Sequence, residues 1–183
     1  MAAEDGPVRP AGVDLDFWSF IALANRRLAG EYGFRHQLAT QVLLTLNRAS
    51  DLVTYDLEAA VHRPRGRSWS AFRLMFVVWL AGPLEPSGAA RLTGMSRAAV
   101  SNLTKTLVAD GLLDRTPGER DGRSVRLSLT PAGHEEMVAV FSEHNEREFR
   151  WAGALTEEEQ RILVMLLDKL ITGHSAPDVR GRR

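Results

Sequence analysis

From Leu38 through Val42, Leu46, Ala49 and Val53 to Leu57, apolar residues recur at threes and fours, the spacing of a helix that buries one face. This predicts a long helix from about Phe34 to His62, ended by Pro64 and Gly66. Leu43, Leu44 and Leu52 widen the stripe beyond what one small lobe covers, which predicts contact with a second chain. A shorter helix precedes it, from about Leu15 to Gly30, and Thr130-Pro131 opens another. The last helix starts at Thr156 with glutamates through Glu159, the spacing of a capping box. It carries Ile162, Leu163, Leu166, Leu167, Leu170 and Ile171, a stripe buried most simply against the N-terminal helices of a two-fold mate. Residues 1–13 and 175–183 read as frayed tails.

The pattern shortens between Pro86 and Thr130. A brief helix carries Ala89, Ala90 and Leu92 inward, and Gly94 falls where a turn between two crossed helices needs a positive φ. Met95 plugs the turn. Ser96 is a fitting N-cap for a second helix, which buries Ala99, Val100, Leu103 and Leu107. Its other face offers Arg97, Ser101 and Lys105, four residues apart, with Asn102 and Thr104 beside them. Such a face presents hydrogen-bond donors to phosphates and base edges. Gly111 ends the helix, Leu112–Asp114 reads as a short strand, and Val125, Leu127 and Leu129 alternate with Arg126 and Ser128 as its antiparallel partner. Arg126 is expected to pair with an acid along the strand. The loop between the strands is rich in Pro, Gly and charge; it places Arg115, Arg120 and Arg123 on a hairpin with Asp121 orienting one of the arginines.

Composition changes this picture little, with 44% hydrophobic residues in a chain of 183, as in an ordinary globular protein. No apolar run approaches the roughly 20 residues of a membrane helix, and MAAEDGPVRP has no signal-peptide pattern. A cytoplasmic protein is expected. The absence of cysteine excludes disulfides, thiolate metal sites and thiol redox sensing. The net charge of zero hides an asymmetry: residues 63–126 hold 11 Lys/Arg against 5 Asp/Glu, and both flanks are acidic. The basic excess coincides with the two helices and the hairpin, as expected of a nucleic-acid-binding lobe.

The GMSRAAVSNLTKTLVADGLLDR core, the hairpin motif Asp121-Gly122-Arg123, the following Leu129-Thr130-Pro131-Ala132-Gly133 and the leucine-rich last helix together resemble the MarR family of bacterial transcription regulators over about residues 34–173. The resemblance implies a mainly α fold with a small β-hairpin wing (α+β). A winged helix-turn-helix lobe (68–133) would join a helical dimerisation lobe built from N-terminal (14–64) and C-terminal (134–173) helices. It further implies a homodimer that binds a pseudo-palindromic double-stranded DNA operator, usually as a repressor. A small aromatic or anionic effector often releases the DNA. The segment Leu15–Gly30 is similar to the extra N-terminal helix of the urate-responsive branch. Trp18 and Arg115 match that branch, but Arg73 stands in place of its acidic residue and Leu103 in place of a second arginine. Urate is therefore not the expected effector.

On DNA, Ser96 and the helix N-terminus would hold a phosphate, and Arg97, Ser101, Asn102 and Lys105 would face the major groove. The family's Asp-x-Arg wing favours Arg123 over Arg120 for the minor groove. For an effector, Trp69, Phe72, Arg73, Phe76 and Trp79 gather aromatics around one arginine, near His36 at the start of the long helix. Trp18, His36, Trp69 and Arg73 are the candidate effector residues, with Arg73 as the charge partner of an aromatic carboxylate. The competing reading is an aromatic core in which Trp18 only packs and Arg73 reaches solvent or pairs with Asp56 or Glu58. His36 and His62 read as surface residues, and neither a metal site nor a cofactor is expected.

Catalysis finds no support. GMSRA lacks the closing glycine of a nucleophile elbow, and His134-Glu135 lacks the second histidine of a zinc-protease helix. The remaining alternative is a winged-helix adaptor for a protein partner, against which the basic lobe and its polar helix face both argue.

Overall fold

Leu74, Val100, Leu107, Leu113, Leu127 and Met137 are almost fully enclosed, and together they bring five elements into one core. In the computed structural model, which describes residues 14–117 and 125–173, the chain divides into two units, Met1–Leu52 and Val53–Arg183. The N-terminal unit holds α1 (Phe17–Gly30) and most of α2 (Gln37–Leu57). Asp16 caps α1, its carboxylate accepting from the Ser19 amide at 2.7 Å. Within this unit Arg48 lies over the Phe17 ring at 5.9 Å, and Trp18 is 62% exposed.

The helix begun at Gln37 does not end in a simple cap. It passes into a π-helical turn, Glu58–His62, and a 3₁₀ turn, Arg63–Arg65, closed by Gly66 at φ 69°. The π-helical turn lies within the span read from sequence as one helix, and the 3₁₀ turn follows its end; the wider winding brings Val61 and His62 together into the interior. Burial of His62 corrects its reading as a surface residue.

Ser68 then caps α3 (Trp69–Ala81), the helix at the centre of the second unit. It packs on α4 (Pro86–Thr93), α5 (Arg97–Ala109), β2 (Val125–Leu129) and α6 (Pro131–Ala152). β1 (Leu113–Pro117) pairs antiparallel with β2, Leu113 opposite Leu129 and Pro117 opposite Val125. Arg115 therefore belongs to β1, opposite Leu127, and not to the loop. A single residue, Leu84, bridges the other edge of β2: its amide donates to the Leu127 carbonyl at 3.1 Å and its carbonyl accepts from the Leu127 amide at 2.8 Å. A single bridging residue, flanked by Pro83 and Glu85-Pro86, leaves no strand pattern in the sequence.

Thr130 caps α6, with Pro131 at the first helical position. Its hydroxyl donates to the Gly111 carbonyl at 2.7 Å, and its amide donates to the Leu112 carbonyl at 3.0 Å. The approach is so close that a Cβ on Gly133 would collide with the Leu112 carbonyl oxygen. α7 (Glu157–Gly173) opens with the expected capping box: the Thr156 amide donates to Glu159 at 2.8 Å and the Glu159 amide to the Thr156 hydroxyl at 3.3 Å. No residue of α7 is buried, and its apolar stripe is open to solvent. Among the described residues, no helix is long and apolar enough to cross a membrane. The fold is mainly helical with a small antiparallel sheet.

Candidate nucleic-acid interface and effector cavity

α4 and α5 meet at Gly94, which takes φ 72° and ψ 9°, the left-handed conformation a residue with a Cβ adopts only at a cost. Thr93 is buried beside it; its hydroxyl donates to the Ala89 carbonyl at 2.7 Å and accepts from the Met95 amide at 3.3 Å. The turn then enters Ser96, whose hydroxyl accepts from the Ala99 amide at 3.1 Å, so that side chain is committed to starting α5.

Ala99, Val100, Leu103 and Leu107 point inward, and Arg97, Ser101, Asn102 and Lys105 are all exposed on the other face. The polar face is narrower than the sequence suggests. Thr104, expected beside Ser101 and Lys105, is buried and donates to the Val100 carbonyl at 2.7 Å. Leu92 departs in the opposite sense: its apolar character places it inward by sequence, but it is 56% exposed, and Thr93 takes the interior position. Arg120, Asp121 and Arg123 lie outside the described residues. Arg126 finds no acid on its strand and donates to the Pro83 carbonyl at 2.5 Å.

Arg67, just before α3, binds Asp110 at the end of α5 and Glu136 in the first turns of α6. One half-buried guanidinium thus ties the C-terminal end of the helix that carries the polar face to α6.

A cavity of about 270 Å³ opens between α3, the end of α4 and α6. Trp69, Phe72, Phe76, Phe141 and Leu92 supply its apolar wall, and Arg73, Thr93, His144 and Glu148 its polar groups. The structure thus brings together Trp69 and Arg73 of the sequence candidates. Trp18 and His36 belong to the N-terminal unit, where His36 lines a separate cleft with Phe34 and Leu28. Arg73 pairs with neither Asp56 nor Glu58. Asp56 is held by Arg147 at 2.5 Å and by the Trp151 indole at 2.7 Å, which lower its carboxyl to about 2. Glu58 accepts from Arg63 at 3.1 Å and from the Trp69 amide at 3.0 Å. Arg73 instead donates through Nη2 to the main-chain carbonyl of Thr93, and among the described residues no carboxylate lies within ion-pair distance of it.

Sequence reasoning missed the polar end of this cavity. His144 donates from Nε2 toward Glu148 at 3.1 Å, and its Nδ1 lies 3.2 Å from Nε2 of His62. Both imidazoles are 1% exposed and lie against the Phe72 ring at 4.3 and 4.4 Å. Burial, reinforced by the neighbouring His144, pushes His62 down to about 4; burial also lowers His144, against the pull of Glu148. The i,i+4 pair His144–Glu148 is a readable signal. The partner 82 positions away is not.

A family model for the MarR family matches residues 65–124. An HTH-type transcriptional regulator of Bacillus subtilis, YwaE, is 30% identical over 132 residues, covering 72% of this chain and 77% of its own length. The chain belongs to the MarR family. Among solved structures, this MarR-family chain is similar to a probable transcriptional regulator of Pseudomonas aeruginosa (TM-score 0.65, 26% identity, 73% of this chain and 98% of that one). BpsR of Bordetella bronchiseptica, whose DNA binding is regulated by 6-hydroxynicotinic acid, is similar at TM-score 0.60 and 25% identity, over 71% and 98%. The chain is a transcriptional regulator with a winged-helix fold.

Proposed function

We propose that this regulator binds a pseudo-palindromic DNA operator as a homodimer, in the cytoplasm, and represses transcription until a small aromatic acid releases it. The observation that carries DNA binding is the face of α5: Arg97, Ser101, Asn102 and Lys105 are exposed together on one side of a helix whose other side is core. In the major groove, Asn102 and Arg97 read base edges, and Lys105 neutralises a phosphate. The N-terminus of α5, started by Ser96, approaches a second phosphate. From sequence alone, Arg123 or Arg120 of the wing enters the minor groove, the Asp-x-Arg motif favouring Arg123, and Asp121 orients one of the wing arginines. Dimerisation is assigned to the helices of 14–64 and 134–173, because Ile162, Leu163, Leu166 and Leu170 of α7 and Leu38, Val42 and Leu43 of α2 are apolar and exposed.

The effector reading rests on Arg73. A half-buried guanidinium that no carboxylate among the described residues pairs with, in an aromatic cavity, is offered a counter-charge by an aromatic carboxylate. Glu148 on the same lining accepts a hydroxyl or N–H from such a ligand. The similarity to BpsR supports this ligand chemistry. Trp18 and His36 remain candidates on sequence grounds.

Titrating a selected operator fragment with 6-hydroxynicotinate, and with the same acid plus the Arg73→Met variant, tests the reading. Release of wild type by the acid is expected. Binding of the fragment that no aromatic acid weakens, across a panel of such acids, contradicts the effector half.

A further inference from the structure

Arg73 touches two things at once. Its side chain lines the cavity, and its Nη2 donates to the carbonyl of Thr93, the last residue of α4. Helix C-termini leave carbonyls without intrahelical partners, and a cation there is favoured by the helix dipole. Gly94 follows in the left-handed conformation, and the position of a Cβ on it would be 3.9 Å from Arg73 Nη2. Two residues later Ser96 starts the helix that carries the polar face. No other side chain among the described residues donates to the Thr93 carbonyl. The guanidinium is therefore the cap that holds the end of α4 against α3.

We propose that Arg73 is the coupling residue between cavity and DNA-reading helix: an acid bound in the cavity draws its guanidinium off the Thr93 carbonyl, uncapping α4 and loosening the turn that positions Ser96 and α5. The inference rests on the effector reading given above for its ligand and adds the route by which the ligand acts. The physical reason is competition. A carboxylate is a charged acceptor and makes hydrogen bonds roughly twice as strong as those of a neutral carbonyl. Both two-pronged edges of a guanidinium use Nη2, so a bidentate carboxylate competes for the nitrogen that Thr93 holds. Leu92, on the last turn of α4, lines the same cavity and meets the body of the ligand.

Hydrogen–deuterium exchange on the full chain tests this at the Met95, Ala99 and Val100 amides, which donate to Thr93, Ser96 Oγ and the Ser96 carbonyl. Without ligand, Arg73→Met is expected to raise their exchange about tenfold, with Arg73→Lys in between, while amides around Val140 in α6 stay protected and report an intact fold. Saturating 6-hydroxynicotinate is expected to raise the same amides in wild type, its neutral amide is not, and neither changes the Arg73→Met variant further. Unchanged exchange in the folded Arg73→Met protein overturns the coupling. So does 6-hydroxynicotinate that binds, as seen by quenching of tryptophan fluorescence, yet leaves these amides as they were. Failure of every acid in the panel to bind overturns the effector reading and the competition with it, and the ligand-free variants alone then decide whether Arg73 caps the turn.

Discussion

His62 Nε2 lies 3.2 Å from His144 Nδ1, linking the π-helical turn after α2 to the middle of α6. Because His144 Nε2 faces the Glu148 carboxylate at 3.1 Å, it carries a proton, its Nδ1 is the acceptor, and His62 is the donor. Burial favours the neutral form of both rings. A second proton on the pair sets two N–H groups against each other inside an aromatic wall.

Stability therefore depends on pH in a defined direction. His62 is lowered from 6.5 to about 4 in the folded chain, so between these values the unfolded chain binds more protons. Stability is fully present above about 6.5 and falls as pH drops toward 4, by up to about 1.4 kcal/mol per pH unit for one group. Melting temperatures between pH 7.5 and 4.5 are expected to fall for wild type and to fall less steeply for His62→Gln. A flat wild-type profile from pH 7 to 5 contradicts the buried neutral pair.

Gly133→Ala is expected to destabilise the protein by about 3 kcal/mol or more, because its Cβ meets the Leu112 carbonyl, main chain that cannot move aside. Urea unfolding of this variant beside Gly153→Ala measures it. A loss under 1 kcal/mol at Gly133 contradicts so close an approach of α6 to the end of α5.

Lys105→Ala and Asn102→Ala are expected to differ in kind. Removing a phosphate contact weakens operator and random DNA alike and lowers the salt slope by about one, whereas removing a base contact costs about 1–3 kcal/mol on the operator only. Binding isotherms on both DNAs at two salt concentrations separate them, and equal losses for both variants on both DNAs contradict the assignment.

Leu166→Glu is expected to leave the protomer folded, since no residue of α7 is buried, and to convert the dimer to monomer in sedimentation velocity. A variant that stays dimeric places the dimer contact elsewhere.

What the sequence made legible was local. Ser96, Thr130 and Thr156 act through residues three positions away, and Gly94 and Gly111 through their own φ. Each reads from a short window. The departures are long-range. Leu92 reads as inward by its apolar character, but Thr93 takes the interior position and Leu92 lines the cavity beside Arg73, nineteen residues earlier in the chain. His62 reads as surface because its partners are contributed by α3 and α6. Thr104 reads as polar face because its character hides a hydroxyl satisfied by its own helix at Val100. The exposed residues of α5 were legible because a helix with one apolar side leaves the other side determined.

The central claim is sequence-specific DNA binding by a dimer through the outer face of α5. Selection of genomic fragments by the purified protein, followed by titration of the best fragment at two salt concentrations, tests it most directly. The predicted result is an enriched inverted repeat, bound steeply salt-dependently by two protomers. Enrichment no greater than that of random DNA, with no effector present in the preparation, contradicts it and moves the winged-helix adaptor to first place.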